Sequence, residues 1–212
     1  MRKGVDRLND GRNSFTPVPC IIALDQSYKR TGIAVCTKGK VRLVKSLDFK
    51  GMKSHTERRF HVQKVLSKII QSCLKRYQPN EICILVERVR TFTGSDNLRP
   101  PVIKAQAALI AYIVDTGYIY NIKTFSVDTR AWKSKVLGDS RPIFPPIEGV
   151  KNPQKFGSVR KAIELGFKQE LSVYRGKVAE KNFSSYNDDL ADAICMSLYT
   201  FCKPPHSLVL ER

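Results

Sequence analysis

The sequence predicts an α/β domain built on a mixed five-stranded sheet flanked by helices. Three observations predict it. Three short apolar runs follow one another near the N-terminus, as in an antiparallel meander. Two further apolar runs of strand length each follow a segment of helical period. Returning to the sheet after a helix requires a crossover, which makes the sheet mixed.

The elements follow in order. Cys20-Ile21-Ile22-Ala23-Leu24 is a buried strand that ends at Asp25. Thr31 to Cys36 and Val41 to Leu47 are two more strands, and Lys38-Gly39-Lys40 between them is a turn signal for a hairpin. A helix is expected over Thr56 to Tyr77, because Val62, Val65, Leu66, Ile69, Ile70, Cys73 and Leu74 recur at helical spacing; Pro79-Asn80 stops it. Ile82 to Val86 is the fourth strand and ends at Glu87, followed by a polar loop from Arg88 to Pro100. The second helix, about Pro101 to Asp115, is apolar nearly all round, so it lies deep in the core or at a subunit interface. Tyr118 to Val127 is the fifth strand. Asp128 to Leu137 reads as a short helix with Asp128 as its N-cap. A Pro/Gly-rich loop, Gly138 to Pro153, leads to a basic helix from Gln154 to Leu165. Phe167 to Ser185 is ambiguous, and a last helix runs from Asn187 to Phe201 with Leu190, Ile194, Leu198 and Phe201 as its apolar stripe.

Its 212 residues fit one large domain, expected over 19–212 behind a basic N-terminal arm, 1–18. No apolar run approaches 18 residues, so no membrane span is expected, and MRKGVDRLNDGRNSF lacks an apolar signal core. The expected location is the cytoplasm. None of the six cysteines forms a C-x-x-C pair, and the three histidines do not cluster with them. That argues against zinc and for reduced, buried thiols. Lys and Arg exceed Asp and Glu by 18. Such an excess fits a polyanionic partner, because cations that neutralise phosphates release condensed counterions.

Against this basic background the few acids are informative. Asp25 and Glu87 each close a run of apolar residues, where an unpaired carboxylate is costly to desolvate. Asp188, Asp189 and Asp192 sit at the start of the last helix. The first two can be explained as charges favoured at a helix N-terminus; Asp192 lies a turn further in, where that explanation fails. Clustered oxygen ligands suit Mg²⁺ or Mn²⁺, and two such ions can activate water and steady a leaving oxygen in phosphodiester hydrolysis.

At these residues the chain resembles the RuvC-like Holliday junction resolvases, phage-type, of the ribonuclease H-like superfamily. Leu24-Asp25-Gln26-Ser27-Tyr28-Lys29-Arg30-Thr31-Gly32-Ile33-Ala34-Val35 is similar to their first motif, and Ile84-Leu85-Val86-Glu87 to the second. Lys104-Ala105-Gln106-Ala107-Ala108 is similar to the small-residue helix that follows. Thr129-Arg130-Ala131-Trp132-Lys133 through Leu137-Gly138 resembles the segment before the family's DNA-facing loop, and Asp189-Leu190-Ala191-Asp192-Ala193 the last motif. The resemblance spans about residues 20 to 202. It implies a ribonuclease H-like core and a homodimer that cuts four-way or branched DNA junctions with Mg²⁺ (Mn²⁺ as an alternative). By motif, the catalytic and metal-binding acids are Asp25, Glu87, Asp189 and Asp192, with Asp188 as alternate for the third. The same acids would serve a related nuclease with another substrate, such as RNA:DNA hybrids or flaps, and a non-catalytic junction-binding protein could keep the fold.

Candidate DNA contacts are Arg88, Arg90, Phe92, Lys104, Arg130, Lys133, Lys135 and Arg141. Phe92 either wedges against unstacked bases, as an aromatic in this loop does in such resolvases, or packs under the sheet edge. Trp132, the single tryptophan, either packs in the core or stacks on DNA. The basic loop from Gly138 to Lys155 is expected to guide a DNA strand.

Overall fold

The computed structural model describes residues 18–27, 29–52, 54–89, 100–138, 147, 150, 155–172 and 186–199. The strands are β1 (Cys20–Gln26), β2 (Arg30–Thr37), β3 (Lys40–Asp48), β4 (Ile82–Glu87) and β5 (Lys123–Val127). The helices are α1 (His55–Leu74), α2 (Pro100–Ile119), α3 (Thr129–Leu137), α4 (Phe156–Glu164), α5 (Lys168–Ser172) and α6 (Asp188–Ser197). They form one mixed five-stranded sheet, ordered β3-β2-β1-β4-β5, flanked by helices. The β1–β2 and β2–β3 pairs are antiparallel; β1–β4 and β4–β5 are parallel.

The meander forms because Lys38 and Gly39 take positive φ values of 50° and 76°, the two-residue turn whose twist matches that of the strands. Strand alternation then divides the core. Ile22, Leu24, Ile84 and Val86 face one side and pack with Val62, Leu66 and Ile70 of α1 and Leu109 and Ile113 of α2. Ile21, Ala23, Cys83 and Leu85 face the other side and pack with Trp132 of α3 and Cys195 and Met196 of α6. A third cluster joins Val159 and Ala162 of α4 to Leu190, Ala191 and Ile194 of α6. Helix α1 begins one residue before the expected start, where Ser54 and Glu57 form a reciprocal capping box.

The largest departure is at the α2–β5 boundary. The strand expected from Tyr118 begins only at Lys123, and α2 runs on through Ile119. Tyr118-Ile119-Tyr120 has the residue types of a strand, yet the helix continues and then turns at Asn121, which takes a φ of 55°. The Val102–Ile119 stretch is also long and apolar enough, by length and composition alone, to cross a membrane. Here Ala105, Leu109 and Ile113 instead pack into the domain core, while Lys104, Ala107, Ala111 and Asp115 are exposed. The ambiguous segment begins as α5. Five cysteines are buried and free: Cys20, Cys36, Cys73, Cys83 and Cys195. The arm residues 1–17, with Phe201 and Cys202, lie outside the described residues.

Candidate metal centre

The site is assembled by strand register. Leu24 of β1 pairs with Val86 of the parallel β4, so the next residues, Asp25 and Glu87, leave the sheet side by side. Alternation puts both on the face covered by α3 and α6. Asp25 also pairs across to Gly32 of β2, and Gly32 to Ser46 of β3. Helix α6 docks on this rung. The buried Asn187 caps α6 by accepting from the Leu190 N–H at 3.0 Å, and its amide donates to Ser46 Oγ at 3.0 Å. Gly32 makes the approach possible. A Cβ there would strike the Asp189 carbonyl and lie 2.7 Å from Leu190 Cα. One turn further along, on the same face as Cys195 and Met196, is Asp192.

Carboxylate oxygens of Asp25, Glu87 and Asp192 lie within 4.8 Å of one another. Asp192 is 1% exposed and Asp25 7%. Neighbouring groups fix the acids in place. Thr129 Oγ1, at the start of α3, donates to Glu87 Oε1, and the Gln26 side-chain amide donates to the Glu87 carbonyl. Lys155, immediately before α4, donates to Asp192 Oδ2 and stands 3.7 Å from Asp25 Oδ2. Lys133 lies 3.9 Å from Asp192 Oδ2.

The electrostatics follow. Burial pushes the Asp25 carboxyl well above its ordinary range; the Lys155 ammonium opposes this, and the charges of Glu87, Asp192 and Asp189 add to it. Burial, then Asp192, raises Glu87. Burial would raise Asp192 as well, but the Lys155 and Lys133 ammonium groups outweigh it and hold that carboxyl low. Lys155 is the converse case: desolvation disfavours its charge, but Asp192 and Asp25 hold its proton more firmly.

The four acids selected from the sequence are therefore not equivalent. Asp25, Glu87 and Asp192 converge; Asp189 stands to one side. Its Oδ2 accepts from Ser27 Oγ at 3.3 Å and pairs with Arg30 Nε at 3.3 Å. Burial, then Asp188, lifts its carboxyl to about 6, against the pull of Lys155 and Arg30. Asp188 lies 3.9 Å from the same guanidinium. Among the DNA candidates, Arg88, Lys104, Arg130 and Lys135 are exposed. Lys133, a candidate DNA contact by sequence, is 8% exposed; its amine lies 5.2 Å from the Trp132 ring centroid and 3.9 Å from Asp192 Oδ2. Trp132 is fully buried in the core and cannot stack on DNA from there. Arg90, Phe92 and Arg141 lie outside the described residues, as does most of the loop expected to guide a strand. Sequence reasoning missed Lys155, Arg30 and Thr129 as site residues. Arg30 carried a signal by its place between Asp25 and Gly32 in the first motif, and Thr129 by opening the Thr129-Arg130-Ala131-Trp132-Lys133 segment; Lys155 lay in no motif.

The residues fit a divalent cation. All three converging groups offer hard carboxylate oxygen. Asp192 Oδ1 is buried and makes no hydrogen bond of normal geometry among the described residues, although the Ser158 hydroxyl helps to hold this carboxyl low; a bound cation would satisfy that oxygen.

No protein-family description matches the chain, and no curated protein matches it. Solved structures do. The Thermus thermophilus RuvC in complex with a Holliday junction substrate is 12% identical, with 85% of this chain and 90% of that one covered at a TM-score of 0.54. A second Thermus thermophilus RuvC structure is 12% identical, covering 85% and 92% at a TM-score of 0.55. Identity this low establishes architecture alone: the chain has the ribonuclease H-like fold found in RuvC.

Proposed function

We propose that this chain is a structure-selective endonuclease that cuts four-way or otherwise branched DNA by Mg²⁺-dependent phosphodiester hydrolysis, a phage-type relative of RuvC working in the cytoplasm. The observation that carries this reading is the convergence of Asp25, Glu87 and Asp192 from β1, β4 and α6. One orphaned carboxylate oxygen among them supports it. A protein that only binds DNA gains nothing from desolvating three carboxylates.

In this reading Asp25, Glu87 and Asp192 hold the metal, and Asp189 adds a carboxylate at the rim. Two Mg²⁺ ions, or Mn²⁺, would supply an activated water and stabilise the leaving oxygen. The chain's own residues do the rest. Thr129 orients Glu87, and Arg30 with Ser27 sets the rotamer of Asp189. Lys133 and Lys155 balance the buried negative charge. Arg88, directly after Glu87, and Lys104 and Arg130 are exposed cations available to flanking phosphates. Arg90, Phe92 and Arg141 are proposed to join them on sequence grounds.

A homodimer belongs to this proposal. Phe60 on α1 and Tyr118 and Ile119 on α2 are 66%, 72% and 69% exposed, and α1 packs on α2. Exposed large apolar residues on one helical layer favour burial against a second copy.

The test is a substrate panel with and without Mg²⁺: a mobile four-way junction, a flap, an RNA:DNA hybrid and plain duplex. Symmetric nicking of the junction alone is expected. Preferential cutting of the hybrid would move the chain to another nuclease class, and binding with no cleavage of any substrate would make it a binding protein.

A further inference from the structure

Lys155 occupies an unusual position for an ammonium group. Its amine donates to Asp192 and faces Asp25 at 3.7 Å, so it stands between two of the three converging carboxylates. A divalent cation shared by Asp25 and Asp192 would need that same space, since Mg²⁺ binds carboxylate oxygen at ~2.0–2.1 Å. Two cations cannot share it. Asp192 is 1% exposed, so little water intervenes to screen their repulsion.

The surroundings provide an exit. The Lys155 side chain retains 20% of its exposure, so a path to solvent lies open along its flexible stem. Its backbone is anchored independently of the amine. Phe156, Val159 and Ala162, which follow it in α4, are buried, the latter two against α6. The amine can therefore leave while α4 stays docked. Lys133 remains as the second cation near Asp192.

We propose that Lys155 is a resident counterion: its amine holds the cation position between Asp25 and Asp192 in the metal-free protein, and a divalent cation expels it on binding. This rests on the metal-centre reading above and adds a consequence to it. The acid cluster stays folded without metal, and metal affinity is set by competition with a lysine of the same chain. The alternative role for Lys155, holding Asp192 so that its unpartnered Oδ1 faces the metal, predicts the opposite sign when the amine is removed.

Calorimetric titration of Mn²⁺ into the full chain, without nucleic acid, separates the two. Lys155→Met should bind Mn²⁺ at least about tenfold more tightly than wild type, the equivalent of ~1.4 kcal/mol. Lys155→Arg, which keeps the charge, should not tighten binding. A readout on the unaltered protein covers the case in which Lys155→Met does not fold. Acylation of Lys155, read by mass spectrometry, should rise when Mn²⁺ is added, because the expelled amine becomes accessible. Equal or weaker binding by a folded Lys155→Met, or acylation that does not rise, overturns the counterion role while leaving the metal centre intact. If wild type and variant both fail to bind Mn²⁺, the metal-centre reading falls and the counterion role falls with it.

Discussion

Replacing Asp192 by Asn removes one charge while preserving volume, and the structure sets the size of two separate effects. Asp192 is 1% exposed; its Oδ2 accepts from Lys155 and lies 3.9 Å from Lys133. Breaking a buried ion pair by removing one partner costs about 3–5 kcal/mol. Lys155 keeps Asp25 at 3.7 Å, which places the loss at the lower end, about 3 kcal/mol. For a chain of this length that is a fall in Tm of about 6–12 °C. The chemical effect should be larger. If Asp192 holds the metal as proposed, its loss should slow cleavage about a thousandfold or more, ~4 kcal/mol of barrier.

Two assays read these effects separately. Thermal unfolding gives the first. Single-turnover cleavage of a labelled four-way junction in Mg²⁺, below the variant's melting range, gives the second. Binding to the same junction in a chelator should be unchanged, because the proposed phosphate contacts are exposed cations away from Asp192. Cleavage by Asp192→Asn at the wild-type rate would refute the assignment of the site. An unchanged Tm would refute the claim that the ion pairs with Lys155 and Lys133 hold the cluster together.

Three further outcomes follow from the geometry. Gly32→Ala should destabilise the fold by about 3 kcal/mol and abolish cleavage, since the new methyl group meets the α6 backbone at Asp189 and Leu190; a variant of wild-type stability would show that α6 does not dock there. Without metal, stability should fall as pH rises from about 4 to 7: a carboxyl raised from 3.8 to about 6, as in Asp189, stabilises the fold when protonated and loses that contribution through its folded pKa, up to about 3 kcal/mol. Asp25 and Glu87 shift the same way, and Mg²⁺ should flatten the profile; a metal-free profile that is flat or rising over this range would contradict the burial of these acids. The double variant Tyr118→Glu and Ile119→Glu should reduce the mass seen by light scattering from dimer to monomer without lowering Tm, and an unchanged dimer would place the interface elsewhere.

Much of this was legible in the sequence because strand ends are marked locally. Asp25 and Glu87 follow apolar runs, and the parallel pairing of those runs brings the two acids together at once. Asp192 was legible through its depth in α6, beyond the reach of N-terminal capping. Asp189 was preferred to Asp188 from the local motif alone; that Arg30 stands beside both acids and Ser27 beside Asp189, to one side of the inner cluster, depends on the turn between β1 and β2 and was not legible. Lys155 was invisible for a similar reason. Its partner Asp192 lies 37 residues further on, and a lysine beside a basic loop reads the same whether it is solvated or locked against a carboxylate. The inward position of Lys133 was not legible either, because a cation in a basic helix is usually exposed, whereas here its amine lies against the Trp132 ring and toward Asp192. Gly32 had a recognisable place in a motif, but its necessity appears only when a helix backbone rests on it.

The two signs of charge in this protein act over different distances, and that separation is measurable. The net charge of +18 sets the field that an approaching polyanion meets. Around the inner site, three carboxyl groups face the two ammonium groups of Lys133 and Lys155 within a few ångströms. Salt screens the first effect, with a Debye length of ~8 Å at physiological ionic strength, and hardly reaches the second, because Asp25 and Asp192 are buried. Junction binding should therefore weaken steeply as salt rises, with log K falling linearly against log salt concentration. The single-turnover rate at saturating protein should change by less than about threefold over the same range, because the acids proposed to act on the scissile phosphate are buried beyond the reach of salt. A cleavage rate that fell in parallel with affinity would mean that surface cations, rather than the buried acids, set the chemical step, and the division between guiding charge and working charge would be wrong.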